Sequence, residues 1–131
     1  MGKHFVLVEA LGRRRLLRLD HIREIVPFMD FEVAGASGEA FKGMLQLRGE
    51  IVPIYEMAAV ETRFSPDRCI VVVNLPDLVA GLIVDEVLDV LEVGDEQLHL
   101  KPGAESWWAR IGDGAEESIV PVLEPAELVK G

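Results

Sequence analysis

The chain has 131 residues, a length that fits one domain or two small lobes sharing a boundary. Half of its residues are hydrophobic, which is enough for a packed core and argues against a disordered chain. Its formal net charge of −10 argues against a nucleic-acid-binding protein, because phosphate contacts need clustered Lys and Arg. The basic cluster Arg13-Arg14-Arg15 is short, and we interpret it as a solvated turn.

The cysteine content and the apolar runs indicate the cellular compartment in which the protein works. Cys69 is the single cysteine, so it excludes an internal disulfide and fits a reducing environment. It precedes the apolar run Ile70–Val73, which favours a buried structural thiol over a reactive one. The N-terminus has no signal-peptide pattern, and no apolar run reaches the ~18 residues of a membrane-spanning helix. We therefore expect a cytoplasmic protein with no direct membrane insertion.

The N-terminal part of the chain predicts a hairpin, a helical turn and a strand. Residues 4–19 contain two runs of strand-forming residues separated by a turn signal, which predicts a β-hairpin. Asp20 is a typical helix-capping residue and begins a short helical turn. Residues 24–26 return to strand, and Pro27 limits that strand. Residues 28–42 contain several small turn-forming residues and predict a surface loop.

The central stretch, residues 43–56, predicts a second hairpin with a tight turn at Arg48-Gly49-Glu50. Gly49 is free to adopt the positive φ that such turns require. The two leucines of the first strand share one face, so Arg48 is held at the tip of a hairpin with an apolar side. No nucleophile, metal cluster or phosphate-binding loop accompanies it in the sequence. The hairpin therefore predicts a surface that grips another protein.

The C-terminal part predicts strands, loops and a final helical turn. In chain order they are a connection (57–68), a hairpin (70–84), a less regular strand (85–93), a long acidic loop (94–118), a strand (119–123) and a helical turn (125–129). The acidic loop carries Trp107 and Trp108. Adjacent residues of a strand point to opposite faces, so we expect one of these two side chains to fill a core.

The chain contains an internal repeat. Leu19–Val26 matches Val84–Leu91 at an offset of 65, and Ile51–Glu56 matches Ile119–Glu124 at an offset of 68. A loop insertion absorbs the difference between the two offsets. The repeat predicts two small β-barrel lobes related by duplication. Because proline donates no ladder hydrogen bond, the proline of each Ile-Val-Pro strand should lie at an edge or a bulge.

Three stretches of the chain resemble the CheW-like domain, the adaptor module of bacterial chemotaxis and related sensory pathways. Residues 20–26 contain an Ile-Arg-Glu-Ile core. Residues 43–54 are similar to the family signature Gly-Val-x-Asn-Leu-Arg-Gly-x-hydrophobic-Val-Pro, and residues 81–91 to its Gly-Leu-Val-Val-Asp-x-Val segment. In this chain Gln46 replaces the usual Asn, and Glu56 stands where an Asp is common.

The resemblance implies an all-β fold of two five-stranded, SH3-like β-barrels with short helical turns. It implies one CheW-like domain over residues 4–130, with lobe one at roughly 4–60 and lobe two at roughly 61–130. It also implies a non-catalytic adaptor without a cofactor. Such adaptors couple the cytoplasmic tip of methyl-accepting chemoreceptors to the regulatory domain of a CheA-type histidine kinase.

The resemblance also implies a partner-binding site. Receptor contact in the family maps onto Ile22, Glu24 and Arg48 of this chain, with Gly49 completing the Leu-Arg-Gly motif. We expect Glu24 and Arg48 to lie close enough to form an ion pair. An exposed pair of this kind contributes little to folding, so its role would be in binding.

Two further function classes stay open. One is a CheW-like interaction module in a non-chemotaxis two-component pathway such as surface sensing, which an unusual partner-facing loop at 28–42 would favour. The other is an enzyme, for example an acidic hydrolase that uses Asp85 and Asp89. No acid–base partner for them is evident in the sequence, so we prefer a solvated strand-and-turn role for both. The histidines are scattered over different segments, so we predict no metal site.

Overall fold

The computed structural model describes residues 2–33, 40–56, 66–100, 107–112 and 118–130. These residues form twelve strands, two 3-10 turns (Leu19–His21 and Asp95–Gln97) and one helix, α1 (Pro125–Lys130). The strands are β1 (Gly2–Ala10), β2 (Arg13–Arg18), β3 (Ile22–Pro27), β4 (Glu32–Val33), β5 (Phe41–Leu47), β6 (Glu50–Glu56), β7 (Cys69–Asn74), β8 (Val79–Val84), β9 (Glu86–Gly94), β10 (Leu98–Leu100), β11 (Trp107–Ile111) and β12 (Ser118–Pro121). Within these described ranges, no helix has the length and apolar character needed to cross a membrane.

Backbone pairing assembles the strands into three sheets. A six-stranded sheet of order β3-β7-β8-β6-β5-β4 forms what we call the first lobe. Two three-stranded sheets, β2-β1-β9 and β10-β11-β12, form the second lobe, and a bridge between Leu16 and Val122 joins them. The prediction of an all-β chain in two lobes is confirmed. The ladders of the described residues do not close into complete barrels.

The membership of the sheets crosses the expected boundary near residue 60. The N-terminal strands β1 and β2 pair with β9, on the far side of that boundary. The strands β7 and β8 complete the sheet that β3 to β6 begin. The first lobe therefore uses the consecutive strands β3 to β8, whereas the second lobe is built from two separate parts of the chain, β1–β2 and β9–β12.

Three apolar cores hold the sheets together, and β1, β2, β7 and β8 each contribute buried residues to two cores. Alternate residues of β7, within 70–73, face either the first-lobe core or an inter-lobe core between the lobes. Alternate residues of β1, within 5–8, face either the inter-lobe core or the second-lobe core. Burial on both faces explains the continuous apolar runs of these strands. The inter-lobe core consists of Val6, Val8, Leu17, Val71, Val73, Ala80, Leu82 and Val84.

The three predicted hairpins are confirmed, as β1–β2, β5–β6 and β7–β8. The first turns at Leu11-Gly12, where both residues have positive φ (56° and 73°), as a type I′ turn requires. The arginine cluster, interpreted above as a turn, instead begins β2. The prediction of a turn for that cluster was wrong, because Leu11 and Gly12 alone form the turn and Arg13 already pairs with Ala10.

Part of the predicted loop at 28–42 is strand. The short β4 pairs with β5, and β5 itself begins at Phe41. Phe31 is buried in the first-lobe core and packs edge-to-face with Phe28, with ring centroids 6.1 Å apart. These two aromatic side chains anchor the segment to the core. The turn-forming composition of the segment gives no sign of this packing. Residues 34–39 lie outside the described residues.

The predicted acidic loop at 94–118 also contains strands. β10 and β11 pair with each other, and β11 pairs with β12. Trp107 packs against the second-lobe core, as expected for one of the two tryptophans, and Trp108 stacks on His99 with ring centroids 4.5 Å apart. Strands of three to five residues between acidic segments are too short to show a clear period. Residues 101–106 and 113–117 lie outside the described residues.

The two copies of the repeat share one burial pattern. Residues 51–55 and 119–123 both run exposed, buried, half-buried, buried, half-buried, and Ile51 and Ile119 are 70% and 69% exposed. Pro121 lies on the edge strand β12. Pro53 pairs with β5 only, because the ladder between β6 and β8 begins at the next residue. Pro121 therefore lies at an edge, as predicted, whereas Pro53 lies on an interior strand, at a position that the ladder with β8 does not reach.

A buried ion network connects the lobes. Arg68 precedes β7 and is 5% exposed; its Nη2 donates to Glu56 Oε2 at 2.5 Å and its Nε donates to Asp85 Oδ1 at 3.1 Å. The other oxygen of Asp85 accepts the backbone N–H of Leu11 at 2.9 Å, in the β1–β2 turn. Asp85 is thus part of a structural network, and the expectation of a solvated role for it was wrong. The sequence shows the charges, but only the meeting of β6, β7 and β8 brings them together.

We expect Gly81→Ala to destabilise the fold. A Cβ at Gly81 would lie 2.7 Å from Ile54 Cδ1 and 2.9 Å from Ile70 Cγ2 in the first-lobe core. Overpacking of this kind costs about 1–3 kcal/mol of unfolding free energy, which urea denaturation measures. Gly2→Ala is the control, because its Cβ would meet only the flexible side chain of Glu92. Equal stability of the two variants would contradict this account of the core.

We also expect Arg68→Ala to lower the free energy of unfolding by about 3–5 kcal/mol, because Glu56 would remain buried without its cation. Arg23→Ala removes a solvent-exposed ion pair with Glu50 and is the matched control, with a loss of about 1 kcal/mol or less. Thermal and urea unfolding of both variants measure the difference. A similar loss in the two variants would show that the Arg68 network is not structurally important.

Candidate partner-binding site

The turn between β5 and β6 is a preorganised two-residue loop. Leu47 and Glu50 are paired, and Arg48 and Gly49 between them have φ values of 50° and 81°. Positive φ at both positions is the signature of a type I′ turn. Gly49 adopts this conformation without strain, whereas Arg48 adopts it despite its Cβ. The arginine is therefore held at a defined place on the tip of the hairpin.

Glu24 on β3 binds this arginine. Arg48 Nη1 lies 2.6 Å from Glu24 Oε1 and 2.5 Å from Oε2, which confirms the expected ion pair. The carboxylate is mostly covered, with 22% of the Glu24 side chain exposed, while 71% of the Arg48 side chain is exposed. Hydrogen bonding to Glu24, with its negative charge, raises the pKa of Arg48. The pair thus presents a permanently charged guanidinium to solvent, and Glu24 holds that side chain in place.

A second ion pair lies beside the first. Arg23 Nη1 donates to Glu50 Oε2 at 2.9 Å, so two consecutive residues of β3 bind the two residues that flank Gly49. Strand β3 and the β5–β6 hairpin are not neighbours in the sheet, so these side chains span an opening between them. We call the four residues Arg23, Glu24, Arg48 and Glu50 the charge cluster. Arg23 and Glu50 were not predicted as site residues, although the complementary charge order of Arg23-Glu24 and Arg48-Gly49-Glu50 is visible in the sequence.

The predicted site residues do not all play the same part. Glu24, Arg48 and Gly49 come together at the charge cluster. Ile22 begins β3 and is half-buried, and its side chain packs against the inter-lobe core. Strand β3, which carries Glu24, therefore begins at the boundary between the lobes. Exposed apolar side chains follow the charged ones along both strands: Ile25 is 41% exposed and Ile51 is 70% exposed.

The site is a surface rather than a pocket. The cavity beneath the charge cluster has a volume of about 20 Å³, roughly one water molecule, and is closed below by Leu47, Val52 and Val72. A larger cleft of about 360 Å³ lies elsewhere, in the second lobe, between the start of β1 and the 3-10 turn that follows β2. Exposed arginine beside apolar side chains is the composition of a protein–protein contact.

The residues considered for catalysis are engaged in structural contacts. Both oxygens of Asp85 belong to the buried network described above. Asp89 Oδ1 accepts the backbone N–H of Val90 at 2.8 Å, on the exposed side of β9. Burial, together with the negative charge of Glu86, raises the pKa of the Cys69 thiol, which disfavours the nucleophilic thiolate. Within the described ranges, no group of three or more His, Cys, Asp or Glu side chains could hold a metal ion.

Comparison with known proteins places the chain in a family. A family description named CheW-like domain matches residues 4–131. The chain is 35% identical over 106 residues to the chemotaxis protein CheW of Klebsiella aerogenes, covering 78% of this chain and 64% of that protein. It is 29% identical over 85 residues to the chemotaxis protein CheW of Thermotoga maritima, covering 63% of this chain and 56% of that protein. The matches therefore span less than two thirds of either relative.

A solved structure has the same fold. The scaffolding protein TtCheW from Thermoanaerobacter tengcongensis superposes with a TM-score of 0.79, at 21% sequence identity, over 95% of this chain and 85% of that chain. The fold therefore agrees with the sequence match, which extends over nearly the whole chain. The chain belongs to the CheW-like domain family.

Proposed function

We propose that this protein is a non-catalytic adaptor of bacterial chemotaxis-type signal transduction that works in the cytoplasm. It couples the cytoplasmic tip of a chemoreceptor to the regulatory domain of a CheA-type histidine kinase. The observation that carries the proposal is the Glu24–Arg48 pair on its preorganised turn. Its two members are the residues for which the family resemblance implies receptor contact.

The geometry of the pair suits recognition of a partner. A guanidinium has five N–H donors, and Glu24 engages one nitrogen of Arg48. The remaining donors point from a side chain that is mostly exposed, so a carboxylate or carbonyl of the partner can bind them. Because Glu24 and the type I′ turn already restrict the side chain, less conformational entropy is lost when the partner binds.

The remaining features support an adaptor rather than an enzyme. Asp85, one of the two carboxylates of the hydrolase alternative, binds Arg68 and the Leu11 amide. The charge cluster lies over a cavity too small for a substrate. Exposed apolar side chains instead line the surface around it, as a protein partner requires.

The first test is titration calorimetry against the regulatory domain of a CheA-type kinase from the same source. We expect micromolar or tighter binding. Absence of binding by a folded sample would contradict the chemotaxis role. It would point instead to a CheW-like module in another two-component pathway, such as surface sensing.

The second test separates binding from folding at the charge cluster. We expect Arg48→Ala to leave the circular dichroism spectrum and the thermal midpoint nearly unchanged, because the pair is exposed, and to abolish measurable binding to a chemoreceptor signalling fragment. Lys3→Ala removes an exposed cation from β1 and is the control that should bind normally.

A charge swap sharpens the second test. The double variant Glu24→Arg with Arg48→Glu retains an ion pair but reverses its orientation, so we expect a folded protein that does not bind the receptor fragment. Normal receptor binding by the swapped variant, or unfolding of Arg48→Ala, would show that the pair acts in the fold and not in recognition.

A further inference from the structure

The hairpin β1–β2 carries a concentrated positive charge on a protein whose net charge is −10. Strand β2 begins with Arg13, Arg14 and Arg15, of which the first two are exposed and the third is half-buried. The turn before them places Leu11 at the tip with 41% of its surface exposed. Three cations and an apolar side chain therefore share one end of the second lobe.

These three arginines differ from the paired arginines of the chain. In the part of the chain that the structure describes, none of them forms an ion pair or a side-chain hydrogen bond. Glu9 lies opposite Arg14 in the ladder but makes no ion pair with it, and Asp85, beside the turn, is occupied by Arg68 and the Leu11 amide. Among the described residues, Arg18, Arg23, Arg48 and Arg68 each pair with a carboxylate, in contrast to these three.

Arg15 is the least well satisfied of the three. Its Nε atom is buried, with no hydrogen-bond partner among the described residues. Burial lowers the pKa of Arg15, and the neighbouring charge of Arg13 lowers it further. Both effects disfavour the cation, and an anion bound at this place would relieve both.

We propose that Arg13, Arg14 and Arg15 form a docking surface for an extended acidic segment of a partner protein. Arg13 and Arg15 lie on the same face of β2, about 7 Å apart, which is the spacing of carboxylates two residues apart in an extended peptide. On the edge of β2 away from β1, Leu16 makes backbone contacts with Val122 and Leu123, so the arginine run meets a partner through its side chains.

The charge distribution favours a short acidic segment over a long polyanion. The arginine run is about 10 Å long, so it matches two or three carboxylates. Duplex nucleic acid or an anionic membrane would extend beyond it, and the acidic remainder of the protein would repel such a surface. This docking surface is separate from the charge cluster, which lies in the first lobe.

Fluorescence anisotropy with the full chain tests the proposal. The probe is a fluorescein-labelled seven-residue peptide of alternating Glu and Ser, with a matched peptide in which Gln replaces Glu. We expect Arg13→Ser and Arg14→Ser each to weaken binding of the acidic peptide about two- to fivefold, and 0.5 M salt to weaken it further. Lys3→Ser, on the neighbouring strand β1, should bind as the unchanged protein does.

Controls keep the outcome decisive. Arg13→Lys and Arg14→Lys retain the charge and should retain most of the binding, and the amide signals of residues 11–15 should shift when the acidic peptide is added. The proposal is overturned if the serine variants bind normally or if the Gln peptide binds equally well. Tighter binding of a duplex oligonucleotide or of phosphatidylserine vesicles than of the acidic peptide would overturn it as well.

Discussion

The burial of the same strands on both faces is the constraint on which the rest of the structure depends. The strands β1, β7 and β8 place successive side chains in different cores, so each contributes to a lobe and to the junction between lobes. A one-residue slip of β7 would exchange the side chains of two cores at once. The fold therefore has a single register, and that register sets the geometry of the candidate partner-binding surface.

Two arginines with carboxylate partners show how burial separates structural from functional charge. Arg68 is 5% exposed. Its two acidic partners are Glu56, at the end of β6, and Asp85, directly after β8, so the network joins strands that are distant in the sequence. The Arg48 side chain is 71% exposed, and its partner Glu24 only restricts it. A buried cation without its partner is costly, whereas an exposed one is solvated by water. The same pairing therefore serves stability in one place and, under the proposed function, recognition in the other.

The sequence predicted what depends on local pattern. The hairpins follow from apolar runs and turn residues, and the Glu24–Arg48 contact follows from the motifs that carry the family resemblance. The Arg68 network was missed, because it depends on three strands meeting and no period in the sequence records that. The segment around Phe31 and the short strand β10 were missed for a related reason: tertiary packing overrides a loop-like composition. Sheet membership was also beyond local pattern, since β1 finds its partner β9 more than seventy residues away.

The assembly of the second lobe from two parts of the chain has a consequence for biosynthesis. The first hairpin emerges from the ribosome long before β9 and residue 122, its partners in the second lobe, and β3 to β6 emerge before the β7–β8 hairpin that completes their sheet. Neither lobe has its full set of strands until most of the chain has been made. Ladders that join distant segments form slowly, because the entropy of closing a long loop is lost before the stabilising contacts form. We therefore expect the second lobe to complete its fold only after β9 and residue 122 have been synthesised, and the apolar strands made earlier must remain soluble until then.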